Sequence, residues 1–159
     1  MKQRLYLAVI SALVYGVNVQ PSQAALWRSQ PQAGEGGGGG AKFVVVDKAR
    51  QELRAYEGNR VVLATRISTG RRGRETPNGR FRAQSKSLMH YSRLYDNAPM
   101  PYSVQIAGNF FIHGFSSVPD YPASHGCIRV PLSGGNPARQ FYDWVDTGTP
   151  VAIVGSWRS

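Results

Sequence analysis

Ser124-His125-Gly126-Cys127-Ile128-Arg129 decides how this chain is read, because it holds the only cysteine in 159 residues. A thiol is a poor nucleophile until it loses its proton. Free cysteine titrates near pH ~8.5, so a reactive sulfur needs an imidazole or another positive group beside it. Two are on offer: His125 lies two residues before the sulfur and His113 fourteen before it, each followed directly by glycine. Gly126 permits a sharp turn that thrusts the sulfur outward and leaves room for a substrate carbonyl. The same turn lets backbone N–H groups near Cys127 point at a developing oxyanion, where each such donor is worth roughly 3 to 4 kcal/mol. The plain alternative is a buried small hydrophobe with scaffold histidines nearby, and a His-Gly-Cys tripeptide by itself leaves the two readings level.

The longer pattern separates them. His113-Gly114 followed by Ser124 to Arg129 resembles the active-site signature of the L,D-transpeptidase family, the YkuD-type catalytic domain of bacterial cell-wall enzymes. Thr76-Pro77-Asn78-Gly79-Arg80-Phe81 is similar to that family's Thr-Pro-x-Gly-x-Phe turn, Met100-Pro101-Tyr102 to its Met-Pro-Tyr segment, and Gly148-Thr149-Pro150-Val151 to its closing strand. The likeness spans residues 42–155. It implies a mixed β-sandwich or open barrel in which His113 accepts the thiol proton, a backbone carbonyl at Gly114 orients the ring, and Cys127 attacks a carbonyl to form a thioester. The implied donor is a peptidoglycan tetrapeptide stem, cleaved between its third residue, an L-centre such as diaminopimelate, and the terminal D-alanine.

The acyl group then passes to an amine. If another stem supplies the amine the product is a 3→3 crosslink, if a lysine of an envelope protein does the product is an anchored protein, and water would make the enzyme a carboxypeptidase or amidase. No motif selects among these. Carbapenem-type β-lactams are expected to acylate Cys127. The resemblance also puts Tyr91, Tyr95 and Tyr102 beside the substrate channel, although packing suffices to explain each tyrosine alone. From a different class, a wall-binding module without catalysis would not need the Cys127 and His113 that are present.

His125 rivals His113 as the base, but residues two apart share a face only in extended backbone, which Gly126 interrupts, so His125 is assigned a supporting role. Ser124 is suited to fix His125 or the loop by hydrogen bonding. Arg129 has the planar fork that orients a stem-peptide carboxylate, and a salt bridge to a local acid is its alternative. The three histidines and one cysteine do not make a zinc pattern, and no cofactor is called for.

The chain begins with a positive n-region (Lys2, Arg4), an apolar run from Leu5 to Val17 and a small-x-small site at Ser22-Gln23-Ala24. That is a signal peptide over 1–24, its apolar run falling short of the ~18 residues a spanning helix needs, so no stable membrane insertion is expected after cleavage. Residues 25–41, with the run Gly36 to Gly40, read as a flexible linker, and 42–159 as the catalytic domain. The destination is the periplasm or cell envelope, where a lone unpaired thiol suggests reactivity. Net charge is +10, and +8 once Lys2 and Arg4 are gone. Such a surplus attracts polyanions. Nucleic acid is excluded by export and by the lack of any recognition motif, whereas carboxylate-rich peptidoglycan fits.

Strand patterns dominate, giving a mostly β domain with a short C-terminal helix. Residues 43–46, 52–56 and 60–67 read as consecutive antiparallel strands, 68–80 as a basic loop with Arg71, Arg72 and Arg74 and a type I turn at Pro77, and 81–83 as a resumed strand. Residues 87–101, which include His90, read as an irregular segment. Residues 102–107 and 110–113 flank Gly108-Asn109 as a hairpin that ends on His113. Asn136 before Pro137 starts a helix burying Phe141, Trp144 and Val145, and 151–154 closes the sheet.

Overall fold

A computed structural model describes residues 40–157. The predicted signal peptide, its cleavage site and all but the last two residues of the linker lie outside the described residues. Strands β1 (Lys42–Asp47), β2 (Glu52–Glu57) and β3 (Arg60–Arg66) pair antiparallel in succession. Val44, Val46, Leu53 and Ala55 are fully buried while Arg54 between them is exposed, the period-two pattern of a sheet with one face on a core.

Strands β4 (Gly79–Arg82) and β9 (Pro150–Val154) complete this sheet in the order β3-β2-β1-β9-β4. The closing segment expected at 151–154 is therefore an interior strand, parallel to β1 and antiparallel to β4. Val151 and Ile153 supply its buried face.

A second, four-stranded sheet follows the order β5 (Lys86–Tyr91), β6 (Pro99–Ala107), β7 (Phe110–Phe115), β8 (Ile128–Pro131). The pairs are antiparallel except β7 with β8, which is parallel. Val104, Ile106, Ile112, Ile128 and Val130 meet Val44, Val46, Leu53, Val151 and Ile153 in one apolar core shared by the two sheets. The sheets do not close into a barrel. Helix α1 (Pro137–Trp144) covers one side. Asn136 accepts from the Arg139 N–H at 3.1 Å, Pro137 occupies the first turn where its missing N–H is harmless, and Phe141 is buried against the core. Burying such a ring contributes roughly 1.5 to 3 kcal/mol.

Two expectations need correction. Residues 87–101 are not one irregular segment: they hold β5, the start of β6 and only the short connection 92–98. Pro99 and Pro101 obscured the pattern, yet β6 has recorded β7 partners only from Val104 onward, so the prolines sit where no donor is required on that side. A positive φ of 54° at Tyr102 marks the break. The tight turn of the basic loop also lies elsewhere than at Pro77. It spans Arg71 to Arg74, closed by the Arg74 N–H to Arg71 carbonyl bond of 2.9 Å, with Gly73 at φ 78°.

Among the described residues, no helix is long and apolar enough to cross a membrane.

Candidate active site

Strand alternation builds the site. Ile112, Ile128 and Val130 point into the core, so Phe111, His113 and Arg129 point the opposite way, onto the outer face of the four-stranded sheet. The parallel register sets Ile112 beside Ile128 and His113 beside Arg129. Cys127, one residue before β8, therefore comes out on the same face as His113, and both line a cleft of about 360 Å³.

His113 is almost wholly buried, and its Nδ1 lies 2.9 Å from the Gly114 carbonyl. A carbonyl only accepts, so Nδ1 carries the proton and Nε2 keeps its lone pair. Gly114 lets the chain pass close to Leu132, whose Cδ2 a Cβ there would meet at 2.5 Å. Burial pushes the imidazole down to about 4, against the favourable Gly114 bond, and the charges of Arg129 and His90 add to the fall. Burial likewise pushes the Cys127 thiol up, with the Phe111 N–H and Arg129 pulling the other way. At neutral pH the pair rests as thiol and imidazole. The Sγ donates to the Asn109 carbonyl at 3.5 Å.

The loop bearing the sulfur is stapled from two sides. Ser124 Oγ accepts from the Gly126 N–H at 3.0 Å and donates to the Cys127 carbonyl, so it fixes the loop and not His125. Gly126 adopts φ 124°, a conformation open to glycine, and a Cβ would press on the Phe110 ring at 3.0 Å. From the neighbouring loop the buried Thr76 hydroxyl donates to the Gly126 carbonyl at 2.7 Å and accepts from the Gly70 N–H at 2.9 Å. Behind it, buried Gln51 holds Thr69 through the Thr69 N–H at 2.8 Å. Among the described residues, no protein group accepts from the backbone N–H of His125 or Cys127.

His125 is exposed at the mouth of the cleft, stacked on Tyr95 with centroids 4.5 Å apart. Arg74 reaches the same Tyr95 hydroxyl at 3.1 Å. Burial, then Arg71, Arg129 and Arg74, hold His125 below its ordinary value. The half-buried Arg129 lays its guanidinium 4.1 Å from the centre of the Phe115 ring, and among the described residues no carboxylate pairs with it.

Tyr102 does not line the cleft: it packs against the core on the side of Val104 and Ile106, with its ring 6.0 Å from that of Tyr142 between centroids. Tyr91 is exposed outside the lining, whereas Tyr95 lines it. His90, to which the sequence assigned no role in the site, lines the cleft with its ring stacked on Phe111. The Asn109 carbonyl and Phe111 N–H went unread because backbone groups leave no mark in residue identity. Thr76 was visible within its motif, but its bond to Gly126 is a contact fifty positions away. Among the described residues, no group of three or more His, Cys, Asp or Glu could hold a metal ion.

The YkuD family, described as the L,D-transpeptidase catalytic domain, matches residues 41–153. An L,D-transpeptidase structure from Xylanimonas cellulosilytica is 31% identical with TM-score 0.62, covering 86% of this chain and 71% of that one. One from Stackebrandtia nassauensis is 25% identical with TM-score 0.67, covering 74% and 57%. A mutant L,D-transpeptidase from Enterococcus faecium is 26% identical with TM-score 0.61, covering 72% and 50%. The chain thus spans only about half the length of two of these three structures. No curated protein matches the chain. With the family's catalytic domain matched over 41–153, most of its length, the chain belongs to the L,D-transpeptidase (YkuD) family.

Proposed function

We propose that this protein is a peptidoglycan L,D-transpeptidase acting in the periplasm or cell envelope, with Cys127 as nucleophile and His113 as general base. One observation carries the reading: the sulfur and the imidazole open on one cleft, and the Gly114 carbonyl fixes the ring so that Nε2 is the basic nitrogen. Because the pair rests neutral, His113 takes the thiol proton as the sulfur attacks the stem-peptide carbonyl. The N–H groups of His125 and Cys127 then receive the oxyanion. As the tetrahedral intermediate collapses, His113 returns the proton to the departing D-alanine amine, leaving a thioester on Cys127. An incoming amine, from a second stem or an envelope protein, takes the acyl group. Arg129, half-buried and without an acidic partner among the described residues, holds a stem carboxylate in this reading.

The test gives the purified mature protein a disaccharide-tetrapeptide. D-Alanine release and a thioester mass on Cys127 are expected, with neither from Cys127→Ala. Crosslinked dimer identifies a stem as acceptor, and free tripeptide identifies water. A wild-type protein that releases no D-alanine and gives no adduct with a carbapenem overturns the proposal.

A further inference from the structure

All three histidines of the chain line the cleft that holds its one cysteine. His113 is tied to the Gly114 carbonyl, His125 is stacked on Tyr95 in an exposed loop, and the third, held like His125 by stacking with no ring hydrogen bond among the described residues, is His90. It sits on β5, the outer strand of the cleft-bearing sheet, and its ring lies flat on Phe111, centroids 4.7 Å apart with 23° between the planes. The backbone N–H of that same Phe111 lies near enough to the Cys127 sulfur to favour its thiolate. The stack therefore parks an imidazole on the residue next to the nucleophile, close enough for its charge to act on His113. Among the described residues, neither ring nitrogen of His90 has a hydrogen-bond partner.

The second half of the proposed reaction has two protons to remove from the acceptor nitrogen, and His113 accounts for one of them. An acceptor amine arrives as an ammonium ion, which has no lone pair with which to attack. His113 is buried at the base of the cleft beside the thioester and receives the proton lost during attack, so a different group must first neutralise the ammonium. The guanidinium groups of Arg129 and Arg93, which also line the cleft, disfavour a cation there and assist that deprotonation without being able to accept the proton.

We infer that His90 is the base that prepares the acyl acceptor, and that the cleft wall formed by His90, Phe111 and the Asn109 carbonyl is the acceptor amine's subsite. The inference rests on the transpeptidase reading above. His90 takes one proton from the ammonium, and the resulting amine attacks the thioester carbonyl carbon. A C–N bond forms, the C–S bond breaks, the second amine proton passes to His113 and from there to the departing sulfur, and His90 releases its proton to water. The products are an amide, the free thiol and one proton. The Asn109 carbonyl, which accepts from the sulfur at 3.5 Å in the resting enzyme, becomes available to an amine N–H once the sulfur is acylated.

The experiment compares wild type with His90→Phe, which keeps an aromatic ring over Phe111 but removes the base, and with His90→Asn as a second variant. Matching thermal midpoints show that each is folded. Each protein receives tetrapeptide donor with either a stem-peptide amine or hydroxylamine, which is already neutral at neutral pH. Expected is a fall of at least about tenfold in the ratio of stem-amine transfer to D-alanine release. Hydrolysed tripeptide should accumulate instead, and transfer to hydroxylamine should proceed as in wild type. Wild-type transfer of both amines in the variants overturns the inference, and so does an equal fall for both, which would make His90 a packing residue. If the wild type releases no D-alanine, the underlying reading fails and takes this one with it. A wild type that transfers while the variants are indifferent sinks the inference alone.

Discussion

At Cys127 and His113 the decisive quantity is where the proton rests. A sulfur activated as a thiolate–imidazolium pair would lose activity on the alkaline side, as the imidazolium gives up its proton, and on the acid side only as the thiolate itself is protonated. Here burial holds His113 at about 4 and the thiol above its ordinary value, so the productive state is the neutral pair. Acylation of Cys127 should therefore stay level from pH 7 down to about 5 and halve only as His113 protonates near 4. Stopped-flow rates with a carbapenem measure this, and an acid limb centred near 6.5 would refute the buried-base reading. Stability follows from the same residue. The folded value lies below the ordinary value of 6.5, so between the two the unfolded chain binds the extra proton, and stability is lost as pH falls from 6.5 through about 4. The full loss is on the order of 3 kcal/mol. Urea midpoints should drop across that window in wild type and much less in His113→Gln.

At the level of elements, the loop before β8 is aimed by the loop before β4, through one hydroxyl. Thr76→Val keeps the shape of the side chain but leaves the Gly126 carbonyl and the Gly70 N–H without partners in a buried place. The expected cost is about 1 to 3 kcal/mol in unfolding free energy. Acylation should slow by about tenfold to a hundredfold as the sulfur drifts from His113. Thr76→Ser should recover most of both, and denaturant titration with adduct kinetics checks the pair. Sequence carried much of this architecture. Val, Phe and Tyr in partial alternation marked β1 and β2, and Gly108-Asn109 marked the hairpin that ends on His113, while the parallel pairing of β7 with β8 that sets His113 beside Arg129 went unread. Residue identity could not show that β9 inserts beside β1, since a parallel partner far along the chain leaves no local trace. It also hid β5 and the start of β6, where prolines read as irregular although their N–H positions face no neighbouring strand. At the site, Cys127 and His113 stand out by residue type, while the packing of Tyr102 against Tyr142 and the core is a long-range contact that leaves no local mark.

Across the whole molecule, the proposed substrate is a polymer rich in carboxylates and the chain without Lys2 and Arg4 carries +8, so what matters for the proposed turnover is how much of that charge stands near the cleft. Arg71 and Arg74 are near enough for their charge to act on His125 at the mouth. Salt screens exposed charges over about 8 Å at physiological ionic strength, so the more distant arginines of the surface contribute little to a bound stem peptide under those conditions. The two mouth arginines differ in one respect. Among the described residues Arg71 has no carboxylate partner and acts through charge alone, whereas Arg74 also bonds the Tyr95 hydroxyl and thereby ties the basic loop to the 92–98 connection. Arg71→Gln should raise KM for the tetrapeptide donor by about two- to fivefold at low salt, the size expected of one exposed charge. That difference should vanish in high salt. Arg74→Gln should show the same salt-sensitive part together with a remainder that persists in high salt, because a lost tether is not screened. Measuring KM for both variants across a salt series separates field from tether. Identical, salt-insensitive effects would show that the basic loop acts through its shape and not through its charge.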